Sequence, residues 1–150
     1  ELTGAVGEDT VSSPTASVTI VDNDPTSINI PTSLTVTEAA GTVTVNLTLM
    51  RAAEGPVTVN FAAVSTGSAV GGGTDYALAS GTVTFAPLEV TKSITFAVVD
   101  DNIAEQPETF RIELSGAVGA PLGNAAMTVT ITDNDVATLR AVPTSVVENV

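Results

Sequence analysis

Cysteine, histidine and tryptophan are all absent from this chain of 150 residues, and lysine and arginine together number only four. Without cysteine there can be no disulfide framework, and no thiol can act as a nucleophile or zinc ligand. Without histidine, histidine-containing zinc sites and His-based catalytic triads are also excluded. The composition therefore leaves carboxylates as the main groups with which this chain can do chemistry.

The charge balance is strongly acidic, because 17 Asp and Glu face the 4 Lys and Arg, for a formal net charge of −13. Such a surface repels nucleic acid and anionic membranes and attracts cations. No apolar run approaches the roughly 18 residues of a membrane span. We therefore expect no nucleic-acid partner and no membrane insertion in this segment. The absence of cysteine also suits an oxidising exterior.

Apolar residues alternate with Thr, Asn and Ser along most of the chain, which is the period-2 pattern of half-buried β-strands. In 42–50, for example, Val43 and Val45 share one face and Thr44 lies on the other. The first strand is expected to be interrupted at Pro31, which cannot donate a backbone hydrogen bond. We predict an all-β fold, a seven-stranded antiparallel Greek-key sandwich of the immunoglobulin type, with strands at 27–38, 42–50, 56–64, 81–85, 92–99, 109–114 and 127–132.

The chain also repeats itself. The heptapeptide ELTGAVG at 1–7 returns as ELSGAVG at 113–119, and TIVDND at 19–24 returns as TITDND at 130–135. This spacing predicts tandem repeats of about 111 residues, cut from a longer array. We expect neighbouring repeats of the same chain to be partners, joined end to end, with lateral self-association left open. The predicted domains are the final strands of a preceding repeat at 1–24, a complete repeat at 25–135 and the first strand of a following repeat at 136–150.

Chain direction alternates between successive strands of an antiparallel sandwich, so every second connection lies at the same end. Counted in this way, the loops rich in Asp and Glu all fall at one end of the complete repeat, which we call the acidic pole. Of the eleven acids in 25–135, eight are expected at the acidic pole: Glu38, Asp75, Asp100, Asp101, Glu105, Glu108, Asp133 and Asp135.

Eight carboxylates at one pole repel each other, at roughly 1 kcal/mol for each pair about 5 Å apart in water and more at lower dielectric. A divalent cation offsets this repulsion. Ca²⁺ accepts 6–8 oxygen ligands from irregular loops, whereas Mg²⁺ requires a stricter octahedron. We therefore predict that these residues bind Ca²⁺.

Some of these acids also have simpler interpretations. Asp and Asn commonly form turns through their own side chains, so the DND motif alone does not require a metal. Asp75 can be a turn residue with Tyr76 packed beneath the loop, and Glu108 can point to solvent. Paired carboxylates also occur in glycoside hydrolases, but the loops lack the aromatic residues of a sugar cleft. We expect no enzymatic activity.

Four features, in this order, resemble the Calx-beta family of sodium–calcium exchangers, some integrins and long bacterial surface proteins. They are Glu38, GTDY at 73–76, VVDDNIAEQPETF at 98–110 and TDND at 132–135. The resemblance implies a seven-stranded sandwich that binds several Ca²⁺ ions at one end. It also implies that the eight acids above are ligands, and that Asp22, Asp24 and Glu148 belong to partial sites of neighbouring repeats.

The chain departs from the calcium-regulated exchanger modules at Asn134, where they carry a third acid, and we expect this to weaken or remove one ion. Two functions then stand side by side. One is a calcium-stiffened structural repeat of a secreted or cell-surface adhesin, matrix or filament protein, which the tandem repeat favours. The alternative is an intracellular calcium sensor, as in sodium–calcium exchangers. A sensor must respond near micromolar calcium, whereas an extracellular repeat can bind more weakly.

Overall fold

The computed structural model describes residues 17–18 and 26–137, and β-strands dominate this part of the chain. The described residues form nine strands and a single turn of 3-10 helix at Glu38–Ala40. None of them belongs to a helix long and apolar enough to cross a membrane. The strands are β1 (Ile28–Asn29), β2 (Ser33–Thr37), β3 (Thr42–Leu49), β4 (Val57–Val64), β5 (Tyr76–Ala77), β6 (Gly81–Phe85), β7 (Thr91–Val98), β8 (Glu108–Val118) and β9 (Ala126–Thr132).

The strands form two sheets, with strand orders β1-β3-β7-β5 and β2-β9-β8-β4-β6. All strand pairs are antiparallel except β2 and β9, which run parallel. Their burial alternates as the sequence predicts. In β3, for instance, Val45 and Leu47 are buried while Thr44 and Asn46 are exposed. The prediction of an all-β, immunoglobulin-like sandwich is confirmed.

The predicted strand count of seven becomes nine, and the first strand explains part of the difference. Pro31 interrupts it, and the chain crosses from one sheet to the other at that point. β1 pairs with β3, and after the crossing β2 pairs with β9 instead. The crossing is held by backbone bonds from Ile30 N to Asn124 O (3.1 Å) and from Thr128 N to Thr32 O (3.0 Å). The other additional strand is β5, which has only two residues and is too short to produce an alternating pattern in the sequence.

The core lies between the sheets and is mainly aliphatic, with a small aromatic cluster near one end. Tyr76 stacks on Phe110 with ring centroids 3.7 Å apart, and Phe96 meets Phe110 edge-on at 5.5 Å. All three side chains are buried. Because Tyr76 follows Asp75 directly and Phe110 follows Glu108 by two residues, this cluster anchors the base of the acidic pole.

The loop before β5 is fixed against the start of β8. The Thr109 carbonyl accepts a hydrogen bond from Ala69 N (3.0 Å), and Thr109 N donates to Ser68 Oγ (3.3 Å). Gly67 lies so close to Thr109 that a Cβ there would collide with its backbone. A glycine is therefore required for this close approach. The loop is also tied to the end of β7, because Val99 N donates to the Asp75 carbonyl (3.0 Å).

Replacing Phe110 by alanine should lower the free energy of unfolding by about 3–5 kcal/mol, because the change removes a fully buried ring and leaves a cavity. Urea unfolding followed by circular dichroism measures this. Val118→Ala on the same strand serves as the control, because Val118 is 66% exposed. Equal losses for the two variants would contradict the packing described here.

Candidate metal centre

The ends of several strands bring the predicted carboxylates together at one end of the sandwich. Asp100 and Asp101 follow β7, and Glu105 precedes β8, which begins at Glu108. Glu38 lies in the 3-10 turn after β2, Asp75 precedes β5, and Asp133 and Asp135 follow β9. These acids are distant in sequence, and the sheet topology makes them neighbours.

Three of these residues form a first group, which we call the Glu38 triad. Glu38, Asp101 and Asp135 each offer a carboxylate oxygen, and the three oxygens lie within 4.8 Å of one another. Glu38 is only 6% exposed. Its Oε2 and the Oδ2 of Asp135 are buried and have no hydrogen-bond partner. Burial of a carboxylate oxygen without a partner is unfavourable, so these two atoms make the Glu38 triad a candidate cation site.

Asp75, Glu105 and Glu108 form a second group, the Asp75 triad, whose ligand oxygens also lie within 4.8 Å of one another. Asp75 Oδ2 accepts a hydrogen bond from Val70 N (2.6 Å), which fixes the carboxylate within its loop. Glu108 is half-buried and hydrogen-bonds to Asp75. It faces its fellow carboxylates, so the simpler interpretation of a solvent-directed Glu108 does not describe this structure.

Asp133 connects the two triads without belonging to either. Its Oδ2 accepts a hydrogen bond from Glu105 N and its Oδ1 accepts one from Asp135 N, both at 2.6 Å. Asp101 makes a similar local contact, since its Oδ1 accepts from Ile103 N (2.7 Å). Within the DND motif, Asp133 therefore forms the local turn contact considered above, while Asp135 belongs to the Glu38 triad.

The remaining predicted residues have less defined positions. Asp100 is exposed but close enough to raise the pKa of Asp135, and Asn134 is exposed. Asp22, Asp24 and Glu148 lie outside the described residues. The roles of all the predicted residues as ligands stay predictions.

Burial and mutual repulsion raise the pKa values of four carboxylates at this pole. Burial raises the pKa of Glu38, and the charges of Asp133 and Asp101 raise it further. Burial and neighbouring carboxylates likewise raise the pKa values of Glu105 and Asp135. Burial raises the pKa of Glu108 to about 7, helped by its hydrogen bond to Asp75. In each of these four groups, every charged neighbour that shifts the pKa is another carboxylate.

The opposite end of the sandwich shows the contrast. Glu89 pairs with Lys92 at 2.8 Å and accepts a hydrogen bond from Ala86 N at 2.9 Å. The bond to Lys92 and the bond to Ala86 lower the pKa of Glu89. A carboxylate at that end is thus stabilised by protein groups, whereas the charged neighbours that shift the pKa values of Glu38, Glu105, Glu108 and Asp135 are all carboxylates. Hard oxygen ligands grouped in irregular loops are the donor set that suits Ca²⁺.

The sequence did not reveal how the acids divide into two triads. That division depends on the backbone amides that donate to Asp133 and on the close approach of Gly67 to Thr109, which positions the loop containing Asp75 next to Glu108. In the sequence this contact is marked only by Gly67, two residues before Ala69, and a single glycine in a loop is not a distinctive pattern.

Without added metal, stability should fall as pH rises from about 4.5 to about 7. The folded protein holds protons on its raised-pKa carboxylates, above all Glu108 with a pKa of about 7. The unfolded chain releases them near pH 4.5, so the folded state binds more protons in this interval and loses stability across it. After allowance for solvent screening, Glu108 accounts for about 1–2 kcal/mol.

Chemical unfolding in chelator at a series of pH values measures this dependence. Glu108→Gln should flatten the slope, because glutamine stays neutral, whereas Glu54→Gln at the exposed opposite end should leave it unchanged. A stability that rises over this interval would contradict the assigned environment.

Comparisons with known proteins identify relatives of this chain. The chain is 33% identical over 113 residues to adhesion G-protein coupled receptor V1 of Danio rerio, which covers 75% of this chain and 2% of the receptor. It is 34% identical over 122 residues to sodium/calcium exchanger 2 of Rattus norvegicus, covering 80% of this chain and 13% of the exchanger. The chain therefore spans a small part of either relative.

A solved structure described as the calcium binding domain CBD12 of CALX1.1 has the same fold. It superposes with a TM-score of 0.67 at 27% identity, over 72% of this chain and 44% of that one. The sequence profile of the Calx-beta domain matches residues 12–135, a span that begins before the predicted repeat boundary at residue 25. This chain belongs to the Calx-beta domain family.

Proposed function

We propose that this chain is a calcium-binding structural repeat that stiffens a secreted or cell-surface protein. The observation that carries the proposal is the pair of carboxylate triads, with the buried and unpartnered oxygens of Glu38 and Asp135 in the first of them. Calcium is also the ion named in the description of the similar CBD12 structure. The proposed role is binding, without catalysis.

The residues that would hold Ca²⁺ are the Glu38 triad and the Asp75 triad, with Asp100 and Asp133 beside them. A bound ion supplies positive charge that neutralises the carboxylates. The chain's own contribution is to hold the loops in place through the Asp133 contacts to Glu105 N and Asp135 N. Because the ligands come from loops after different strands, binding ties together segments that the sheets alone leave separate at this end.

Similarity to an exchanger supports a second function, calcium sensing inside the cell. The internal repeat of about 111 residues, together with similarity to an adhesion receptor, favours the structural role. Affinity separates the two. Dissociation constants near micromolar calcium would support the sensor, and values near millimolar calcium would support an extracellular structural repeat.

The proposed partners are the neighbouring repeats of the same chain, arranged end to end. The chain enters the described sandwich at Thr26, at the end opposite the acidic pole, and leaves it after Asp135 at the acidic pole. Each acidic pole would then face the entry end of the next repeat.

Calcium should raise the thermal stability of this chain strongly. At about a thousandfold excess over the dissociation constant, each independent site contributes about 4 kcal/mol. The melting temperature should therefore rise by many degrees between chelator and millimolar Ca²⁺. Differential scanning calorimetry with parallel calcium titration measures both quantities. Identical melting curves in the two solutions would rule out the proposed function.

Removing a single acid should reduce calcium binding if that acid lies at the acidic pole and should leave binding unchanged if it lies at the opposite end. Asp101→Ala removes one member of the Glu38 triad and should reduce the number of ions bound by isothermal titration calorimetry. Glu89→Ala removes an acid of the opposite end and should leave calcium stoichiometry unchanged, although it also breaks the Lys92 pair. If both variants bind fewer ions, the assignment of the metal centre to the acidic pole is wrong.

A further inference from the structure

The end of the sandwich opposite the acidic pole exposes several large apolar side chains, and we call it the apolar pole. Met50, Leu88, Val90 and Val118 are 65%, 71%, 41% and 66% exposed there. They come from the end of β3, the turn and chain between β6 and β7, and the end of β8. Of these four residues, Leu88 lines a groove at this pole and is therefore the candidate for an interaction surface.

A groove of about 700 Å³ opens at this pole, lined by Thr26, Arg51, Ala53, Pro56, Leu88 and Gly119, among others. The groove wall is tightly packed at Gly119, because a Cβ there would lie 2.7 Å from the Pro56 carbonyl oxygen. Gly119 also has a φ of 87°, which disfavours any residue with a side chain. Gly119 therefore preserves the shape of the groove.

Leu88 is held at the groove in a costly conformation. Its φ is 68°, the left-handed region that disfavours side chains other than Gly, Asn and Asp. Leu88 N donates to the Ala53 carbonyl at 2.8 Å, which fixes this geometry. The side chain is nevertheless 71% exposed, so it gains little from burial within the repeat. A strained backbone that presents an exposed leucine points to a function for that side chain.

The chain itself indicates what lies against the groove. Thr26 forms part of the groove wall and is anchored to Arg51, accepting from Arg51 N (3.4 Å) and donating to Arg51 O (2.9 Å). In the sequence, Pro25 alone separates Thr26 from TIVDND at 19–24, the counterpart of TITDND at 130–135. In sequence, therefore, the groove residue Thr26 closely follows the counterpart of the segment that closes the acidic pole.

The charges of the apolar pole also favour the acidic pole of a preceding repeat as the occupant of the groove. The apolar pole carries Arg51 and Lys92 against Glu54 and Glu89, so its ionisable side chains balance. An acidic pole can approach this surface without the repulsion that two acidic poles would meet. The acidic pole also presents an apolar residue, Ile103, which is 60% exposed between Asp101 and Glu105.

We propose that the groove at the apolar pole receives the acidic pole of the preceding repeat, with Leu88 packing against that repeat's counterpart of Ile103. This inference rests on the tandem arrangement of the proposed function and identifies its docking surface. Docking fixes the angle between successive repeats, and Leu88 is the residue that gives this contact its apolar centre.

The test uses two copies of residues 25–135 joined directly, which recreates the native Asp-Pro-Thr junction between repeats. Each copy contains the described closed sandwich and its core. Because the chain lacks cysteine, Thr95→Cys in each copy, at an exposed position of β7, introduces two spin labels. Pulsed dipolar spectroscopy in calcium then measures the distribution of distances between the repeats, and one narrow distance is expected.

Leu88→Asn in the second copy should abolish the narrow distance, since asparagine tolerates the left-handed backbone but removes the apolar side chain. Leu88→Asn in the first copy is the matched control, because no repeat precedes it, and it should keep the narrow distance. A narrow distance in both variants, or a broad one in the unmodified tandem, overturns the inference. Calcium titration of the same proteins reports separately on the proposed function, so docking can fail while calcium binding stands, and the reverse.

Discussion

Mutual repulsion among carboxylates is the constraint around which the described structure is organised. The fold places the ends of β2, β7 and β9 and the start of β8 at one pole, and each of these ends carries acids. Within the Glu38 triad, burial adds to the repulsion, because buried oxygens of Glu38 and Asp135 have no donor. A protein that concentrated charge in this way without a counterion would lose stability for no structural gain.

The sandwich tolerates this arrangement because its own stability is secured elsewhere. Aliphatic side chains fill the space between the sheets, and the stack of Tyr76 on Phe110 closes the core directly beneath the acids. The loops above are tied by hydrogen bonds from backbone amides to the Thr109 carbonyl and to the Asp133 carboxylate. Packing thus determines where the carboxylates lie, and electrostatics determines what they can bind.

Much of this could be predicted from the sequence, because period-2 alternation and strand direction are local properties. The strands around Val45, Ile94 and Val129 and the grouping of acids at one end followed directly from these patterns. The change of sheet at Pro31 was less accessible. Proline indicates an interruption, but whether the strand resumes in the same sheet depends on the pairing of β2 with β9, a contact between residues almost a hundred positions apart.

Details of the candidate site were also inaccessible, for a related reason. The division into triads depends on which backbone amides reach Asp133 and on how closely Gly67 can approach Thr109. Neither is encoded in residue type or spacing alone. The exposed Leu88 is a similar case, because its sequence context gives no sign of a positive φ.

The parallel pairing of β2 with β9 has a mechanical consequence. In sequence, β2 lies near the start of the repeat and β9 near its end. The five residues Ser33–Thr37 pair in register with Thr128–Thr132. Tension on the chain pulls the start of β2 toward the entry end and the end of β9 toward the acidic pole, which are opposite directions along two parallel strands. The load therefore acts along the strands, and their hydrogen bonds resist it together in shear, whereas a hairpin would open one bond at a time. The crossing at Pro31 thus gives the sandwich a built-in resistance to stretching.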